Sequence, residues 1–478
     1  MDSNSQVTVN ISQRAKALLM IGLFCLIATD MLVVYELATA IPAVLGEIGG
    51  MNLIALVFTT NMLGSAIMAP VAGSLSSIFG RRRTLIICGM LLTILEPSSA
   101  LVTNVTQLIV LRGIQGVVSS FALTVTLIVI ADVCTPPERA KYLGLYGSVM
   151  AAYMIVGSAI GGIITDNFHW RWIFAIVLPV GLVGTFLVYR YMPVIPRDSE
   201  GKVDVLGSVV MTVTISLIVF VTVVGGDKYS WSSPIMLSLY LASLIGLVLF
   251  VFVEKRASTP IMPMSLFSNP KFVMFFISVF FVTAAAIPAA YYLPLYFQEV
   301  RGLSATYAGM LMTSRGVLAV IFSAANGWII SRVKEFRWNA LVLVALYCLA
   351  NVSFSMMGAA TPMAVIGVSI LVWGLAAGSN NVFLTGTQMT LRHSQIVSAM
   401  GVLQLAVTFG GTISNIVIGV LLKNPDFTKG LHNVFLVAVV SLLIVLLLIV
   451  VMLLMRNKIY SEDNQVNVTV SEKPEVVT

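Results

Sequence analysis

LHNVFLVAVVSLLIVLLLIVVMLLM, residues 431–455, contains no lysine, arginine, aspartate or glutamate. A run of this length exceeds the roughly 20 residues that a helix needs to cross a bilayer. It lacks the two-residue alternation of a strand, so it reads as a helix. In lipid a helix satisfies its own backbone polar groups, and an isolated strand cannot. The rest of the chain has the same character. Of 478 residues, 58% are hydrophobic and 10% are charged, against about 25% charged in soluble domains. The fold class is therefore an all-α polytopic membrane protein.

Fourteen apolar runs are predicted as spans, near 17–42, 52–76, 84–103, 106–132, 141–165, 172–193, 205–226, 234–253, 271–297, 305–330, 340–359, 362–389, 397–422 and 431–455. An even number puts both termini on one side. Lysine and arginine accumulate on the cytoplasmic side of membrane proteins. The termini and even-numbered loops hold 20 of the 27 basic residues, the odd-numbered loops hold 5, and Arg112 and Arg315 lie inside spans. Both termini are expected in the cytoplasm, with the protein in the cell membrane. The net charge of +7 then reports topology, and nucleic acid is not expected as a partner.

The connection VIPRDSEGKVD (194–204) divides the chain, and the tail 457–478 is polar and expected to be disordered. GSLSSIFGRRR (73–83) and GWIISRVKEFR (327–337) echo each other, each running from a glycine at a helix end into basic residues. Internal repeats of this kind mark transporters that rock two bundles about a central site. The predicted organisation is an N-terminal six-helix bundle (1–195), two additional helices (203–258) and a C-terminal six-helix bundle (268–456), followed by the tail.

Charge inside a span costs about 2.5–3.5 kcal/mol on insertion scales and is functional by default. Asp30 and Glu36 lie in the first span, Glu96 in the third, Arg112 in the fourth and Arg315 in the tenth. Glu36 and Arg112 fall at similar depth in the outer half, and Asp30 and Arg315 near the midplane. Each couple is a candidate ion pair. A carboxylate beside an arginine keeps its charge and an unpaired one takes a proton, which is the behaviour a proton-coupled exchanger requires; a static ion pair is the alternative. Glu96, in LEPSS near a span end, reads as a solvated cap.

YMIVGSAIGGIITD (153–166) sets Gly157, Gly161 and Gly162 at the small-xxx-small spacing that lets helices approach closely. LRGIQG (111–116) places Arg112, Gln115 and Gly116 within about one turn. Tyr291, Tyr292, Tyr296 and Gln298 end the ninth span; Asn380 and Asn381 lie in the twelfth and Gln404 in the thirteenth. Aromatic and amide linings suit planar or cationic ligands through stacking and cation–π attraction. An interfacial tyrosine belt is the alternative for the ninth span. Cys25, Cys88, Cys134 and Cys348 match no metal or redox spacing, and His169, His393 and His432 are far apart. No metal, cofactor or enzymatic chemistry is expected, and without a phosphate-binding glycine loop neither is ATP-driven transport.

LRGIQG, TPPERAKYLGLYG (135–147), WRWIFAIVLPVG (170–181), VDVLG (203–207), EKRASTPIMPMSLF (254–267) and YLPLYFQEVRGLSATYAG (292–309) resemble the fourteen-helix drug:proton antiporters of the major facilitator superfamily, over about 15–455. The resemblance implies a major facilitator fold, two six-helix bundles plus two inserted helices. It implies a multidrug-efflux exporter, expected as a monomer, that exchanges small amphipathic or cationic compounds for protons; the alternatives are an exporter of a dedicated metabolite or lipid without proton coupling and a non-transporting membrane sensor on the same fold. Asp30, Glu36 and Arg112 would then serve proton coupling, and Gln115, Arg315, Tyr292, Asn380, Asn381 and Gln404 would line the substrate cavity. Gly73, Gly80, Arg81 and Arg82 fit the family's cytoplasmic loop motif, but Ser77 and Ile78 stand at its Asp and Arg positions. Ser158 replaces the proline after Gly157 in the antiporter motif. Val33 stands at the family's first-span acid position, between Asp30 and Glu36.

Overall fold

The computed structural model describes residues 12–455 except 195–204, 226–228, 231, 258–259, 261, 334–335, 392 and 423–426. Residues 195–204 of the connection, the polar tail 457–478, and Lys334 and Glu335 of the second echo segment lie outside the described residues. The helices are α1 (Gln13–Ile48), α2 (Ile54–Phe79), α3 (Arg81–Ser98), α4 (Val105–Val133), α5 (Pro136–Asn167), α6 (Trp172–Ala175), α7 (Val177–Tyr191), α8 (Val205–Val224), α9 (Pro234–Arg256), α10 (Pro270–Ile287), α11 (Leu293–Leu295), α12 (Ala305–Val333), α13 (Arg337–Ser355), α14 (Met363–Leu375), α15 (Ser379–Thr390), α16 (His393–Leu421) and α17 (Phe427–Leu454). Twelve helical stretches among the described residues are long and apolar enough to cross a membrane. Two shorter apolar stretches, Ile54–Ala69 and Leu206–Ile218, fall in α2 and α8.

Local chemistry sets the helix ends. Asn104 caps α4 by accepting from Gln107 N at 3.0 Å. Thr135 and Glu138 form a capping box on α5, with Pro136 in its first turn, where a missing N–H costs nothing. Gly80, at φ +90°, makes the tight joint between α2 and α3, a backbone conformation that side-chain-bearing residues resist. The predicted ninth span is not one regular helix. Two π-helical turns, Pro288–Tyr292 and Tyr296–Val300, flank α11. Pro288 and Pro294 have no N–H to give to the α-helical ladder, and π turns of this kind recur at functional sites.

The chain separates into two compact units. One comprises Met1–Ile261, Ala290–Val317 and Asn415–Thr428, and the other Met262–Ala289, Leu318–Ser414 and Lys429–Thr478. In the first, α2 packs on α4, α1 on α5 and α7, α3 on α7, and α8 on α9. Leu19, Leu23, Leu26, Val125, Val129 and Val188 are fully buried in one apolar cluster there. In the second, α10 packs on α15 and α13 on α14. Phe275 and Phe336 meet with ring centroids 5.6 Å apart, and Arg337, buried, donates to Met452 O at 3.2 Å.

Candidate functional site

The first unit encloses a polar cluster drawn from four helices. Arg112 of α4 donates to Glu96 of α3 at 2.8 Å, and neither side chain is more than 1% exposed. Glu96 is thus no solvated cap: α3 runs on through Pro97 to Ser98, and the carboxyl turns inward to the arginine. Arg112 is therefore paired with Glu96 and not with Glu36. The Arg112 guanidinium lies 5.8 Å from the centroid of the Phe174 ring of α6. Asp30, 1% exposed, accepts from Asn61 Nδ2 of α2 at 3.3 Å. Arg112, Ser119 and Glu96 also act on it. Removing one member of a buried ion pair costs about 3–5 kcal/mol, because the other charge is left uncompensated. Gln115 gives its amide to Leu95 O at 2.7 Å and Ser99 Oγ at 2.9 Å, which ties α4 to the end of α3.

Glu36, six residues after Asp30 on α1, has a different environment. It is 1% exposed, and neither carboxyl oxygen has a hydrogen-bond partner among the described residues. Six residues are about 9 Å of rise and about 120° of rotation, so the two acids face different neighbours. Against Glu36 stands the glycine face of α5. A Cβ on Gly161 would lie 2.6 Å from Glu36 Cα, and one on Gly157 2.9 Å from Tyr35 Cβ. Gly162 and Ser158 point the other way, to the start of α12: a Cβ on Gly162 would lie 2.8 Å from Thr306 Cα, and Thr306 Oγ1 donates to Gly162 O at 3.2 Å. Asp166 caps α12 by accepting from Ala305 N at 3.1 Å and Thr306 N at 2.6 Å. The one-residue offset between Gly161 and Gly162 thus serves two interfaces.

Salt bridges secure both ends of α1. Lys16 meets Glu138 of α5 at 2.7 Å. Glu47 accepts from Trp170 Nε1 at 2.6 Å and from Arg171 at 2.6 Å. Within the loop motif, Arg81 pairs with Asp132 of α4, and Arg82 donates to Tyr189 O at 2.8 Å. A Cβ added to Gly73 would meet Ile128 Cδ1 at 3.5 Å, an ordinary contact. Sequence reasoning passed over Asn61, Ser119, Glu96, Asp132 and Asp166 as partners. Only Glu96 carried a signal, a carboxylate inside an apolar run.

Arg315, half-buried on α12, donates to Met154 Sδ of α5 at 3.0 Å and acts on Tyr35. Tyr291 stacks on Phe58 with centroids 4.6 Å apart, and Tyr292 meets the same ring edge-on at 6.4 Å. Tyr292 and Tyr296 are at most 1% exposed, so they form no interfacial belt. In the second unit, Asn380 donates to Thr283 Oγ1 at 3.0 Å and Asn381 to Ser323 Oγ at 3.1 Å. Gln404 is exposed. A groove between α13 and α14, lined by Leu349, Ser353, Val365 and Ser369 among others, is apolar and contains none of the predicted cavity residues. Among the described residues no group of three His, Cys, Asp or Glu could hold a metal ion.

Membrane-length helices that bury the Glu96–Arg112 pair and Asp30 between them make a polytopic membrane protein with ionisable groups inside its spans. The chain belongs to the major facilitator superfamily, whose family model matches residues 19–414. It is 29% identical over 364 residues to the Multidrug transporter protein MdtP of Bacillus subtilis, covering 75% of this chain and 67% of that one. It is 28% identical over 399 residues to the Multidrug resistance protein 3 of the same organism, covering 83% and 78%. Among solved structures, its fold is similar to a peptide transporter POT in complex with sulfate (TM-score 0.67, 14% identity, 94% and 98% covered). It is also similar to an inward-facing, occupied bacterial homologue of the human lysosomal transporter Spinster (TM-score 0.66, 12% identity, 92% and 97% covered). The protein is a multi-pass membrane transporter of small molecules and not an enzyme.

Proposed function

We propose that this transporter exports small amphipathic or cationic compounds in exchange for protons, by alternating access, as a monomer in the cell membrane. The observation that carries the reading is the burial of two carboxyl groups, Asp30 and Glu36, one helical face apart on α1. A buried carboxyl keeps a charge only beside a counter-charge and otherwise holds a proton. Either acid could therefore exchange a proton for a cation, with Arg112 modulating the choice. The names of the Bacillus relatives support the drug class. Gln115, Arg315, Tyr292, Asn380, Asn381 and Gln404 are proposed to bound the substrate path, and the two glycine faces of α5, Gly157 with Gly161 on α1 and Gly162 on α12, to permit its movement. Gly73, Gly80, Arg81 and Arg82 would gate the cytoplasmic end, with the Arg81–Asp132 pair standing in for the loop aspartate that Ser77 replaces.

The fourteen-span topology belongs to the same proposal: α2 and α8 both cross, bundles 1–195 and 268–456 flank the pair in 203–258, and both termini are cytoplasmic. A reporter after residue 460 or within 194–204 tests it, and labelling of either site from outside intact cells would overturn it. Coupling is tested by acidification or alkalinisation of proteoliposomes on adding a panel of lipophilic cations and neutral metabolites. A second reading, export of a dedicated metabolite or lipid without proton coupling, is favoured by Val33, Ser77 and Ser158 at the family's motif positions. Transport without pH change would select it.

A further inference from the structure

Asp30 of α1 and Glu96 of α3 belong to one buried cluster: Thr29 and Thr93, on the same two helices, meet at Gly181, where an added Cβ would lie 2.5 Å from Thr93 Oγ1 and 3.3 Å from Thr29 Cγ2, and the two carboxyls influence each other. Both are buried, and each keeps one oxygen, Asp30 Oδ2 and Glu96 Oε1, that no donor among the described residues reaches. Asn61 supplies Asp30 Oδ1 and Arg112 supplies Glu96 Oε2. The charged group acting on both carboxyls is Arg112. The remaining polar neighbours of Asp30, Asn61 and Ser119, are uncharged, and Tyr291 is the further titratable group influenced by Asp30 and Arg112. Two adjacent carboxylates against one guanidinium leave an unbalanced negative charge in a site closed to water. Two deprotonated carboxyls also cannot hydrogen-bond each other, since both are acceptors only. A single proton on one of them removes both difficulties.

We propose that Asp30 and Glu96 hold one proton between them, with Arg112 balancing the remaining negative charge, so that Glu96 of α3 is a proton-carrying residue of this transporter. The proposal rests on the proton-exchange reading for its use, but the shared proton is a property of the resting protein. In exchange, the proton leaves a carboxyl for water. The pair is left with two negative charges against Arg112, and an arriving monovalent cation restores the balance. The two acids then titrate as one unit. Arg112, held on Glu96 at 2.8 Å, acts as a positioning residue.

Infrared spectroscopy of the full chain in lipid tests this without a substrate. The reading is the C=O stretch of protonated carboxyl groups at neutral pH, in a Glu36→Gln background that removes the other buried acid of α1. Asp30→Asn and Glu96→Gln should each remove the same band, one carboxyl group in size, because each leaves a single carboxylate with Arg112. The double variant should remove no more than either single. A band that survives either substitution, or no difference between parent and double variant, would overturn the proposal. Asp30→Asn keeps the Glu96–Arg112 ion pair, so it tests the idea even where Glu96→Gln fails to fold. Proton flux driven by tetraphenylphosphonium in proteoliposomes is measured alongside. Loss of that flux in the parent, with the infrared result intact, would refute the exporter reading and leave the shared proton standing.

Discussion

Gly161→Ala tests the α1–α5 contact on which the Glu36 site depends. The added Cβ would lie 2.5 Å from Thr39 Oγ1 and 2.6 Å from both Glu36 Cα and Glu36 O, where ordinary contact begins at 3.4 Å. The 3.4 − 2.6 Å shortfall means the helices must part by about 0.8 Å. Two of the three atoms are backbone, so no rotamer change relieves the clash. Overpacking by one methyl costs about 1–3 kcal/mol, and the upper end applies when backbone must move. Alanine returns up to about 1 kcal/mol through its helix propensity, leaving a net loss near 2 kcal/mol. Gly157→Ala meets Tyr35 Cβ at 2.9 Å and Leu32 O at 3.1 Å, so it should lose less. Gly147→Ala meets nothing within 4 Å and should match or exceed the parent. Thermal unfolding in one detergent should rank the four proteins in that order. A Gly161→Ala protein as stable as Gly147→Ala would refute the packing argument, and with it the assignment of the Gly157–Gly161 face to α1.

Asp30→Asn should remove drug-dependent proton flux more completely than Glu36→Gln at matched expression, because Asp30 belongs to the charged cluster and Glu36 has no charged partner in it; the opposite ranking would move the coupling site to Glu36. Arg315→Ala should shift transport from anionic towards cationic dyes and Arg315→Lys should keep part of the parent's preference, since the charge survives while the planar fork is lost; an unchanged preference in Arg315→Ala would remove Arg315 from the substrate path. At the end of α5 outside its span, the Lys16 ammonium, with Gln13 and Thr135, holds the Glu138 carboxyl down at about 2. A depressed carboxyl stabilises the fold above its unfolded value, about 4, and that contribution is lost as pH falls through 2. The melting-temperature gap between parent and Glu138→Gln should therefore be level from neutral pH to about 5 and close between about 4 and 2; a gap that persists at the acid end would show that Glu138 acts through packing.

Solvent and secondary structure were legible in the sequence because both are sums over local side chains. The 431–455 run must be helical in lipid whatever surrounds it, and the glycines of 153–166 announce close packing before any partner is known. What the sequence could not decide is which side chain compensates which charge. Glu96 sits where a cap would sit, sixteen residues from Arg112, and its role depends on how α3 and α4 pack. Asp30 is held by Asn61 from α2 and influenced by Ser119 from α4, and no spacing along the chain encodes that meeting. The offset from Gly161 to Gly162 separates a face on α1 from a face on α12 only once both helices are in place. The π turns around α11 follow from Pro288 and Pro294, yet the burial of Tyr291 and Tyr292 that they produce depends on Phe58 of α2. Hydropathy and helix periodicity are properties of one segment, whereas charge balance and backbone clearance are properties of pairs of segments, fixed only when the helices pack.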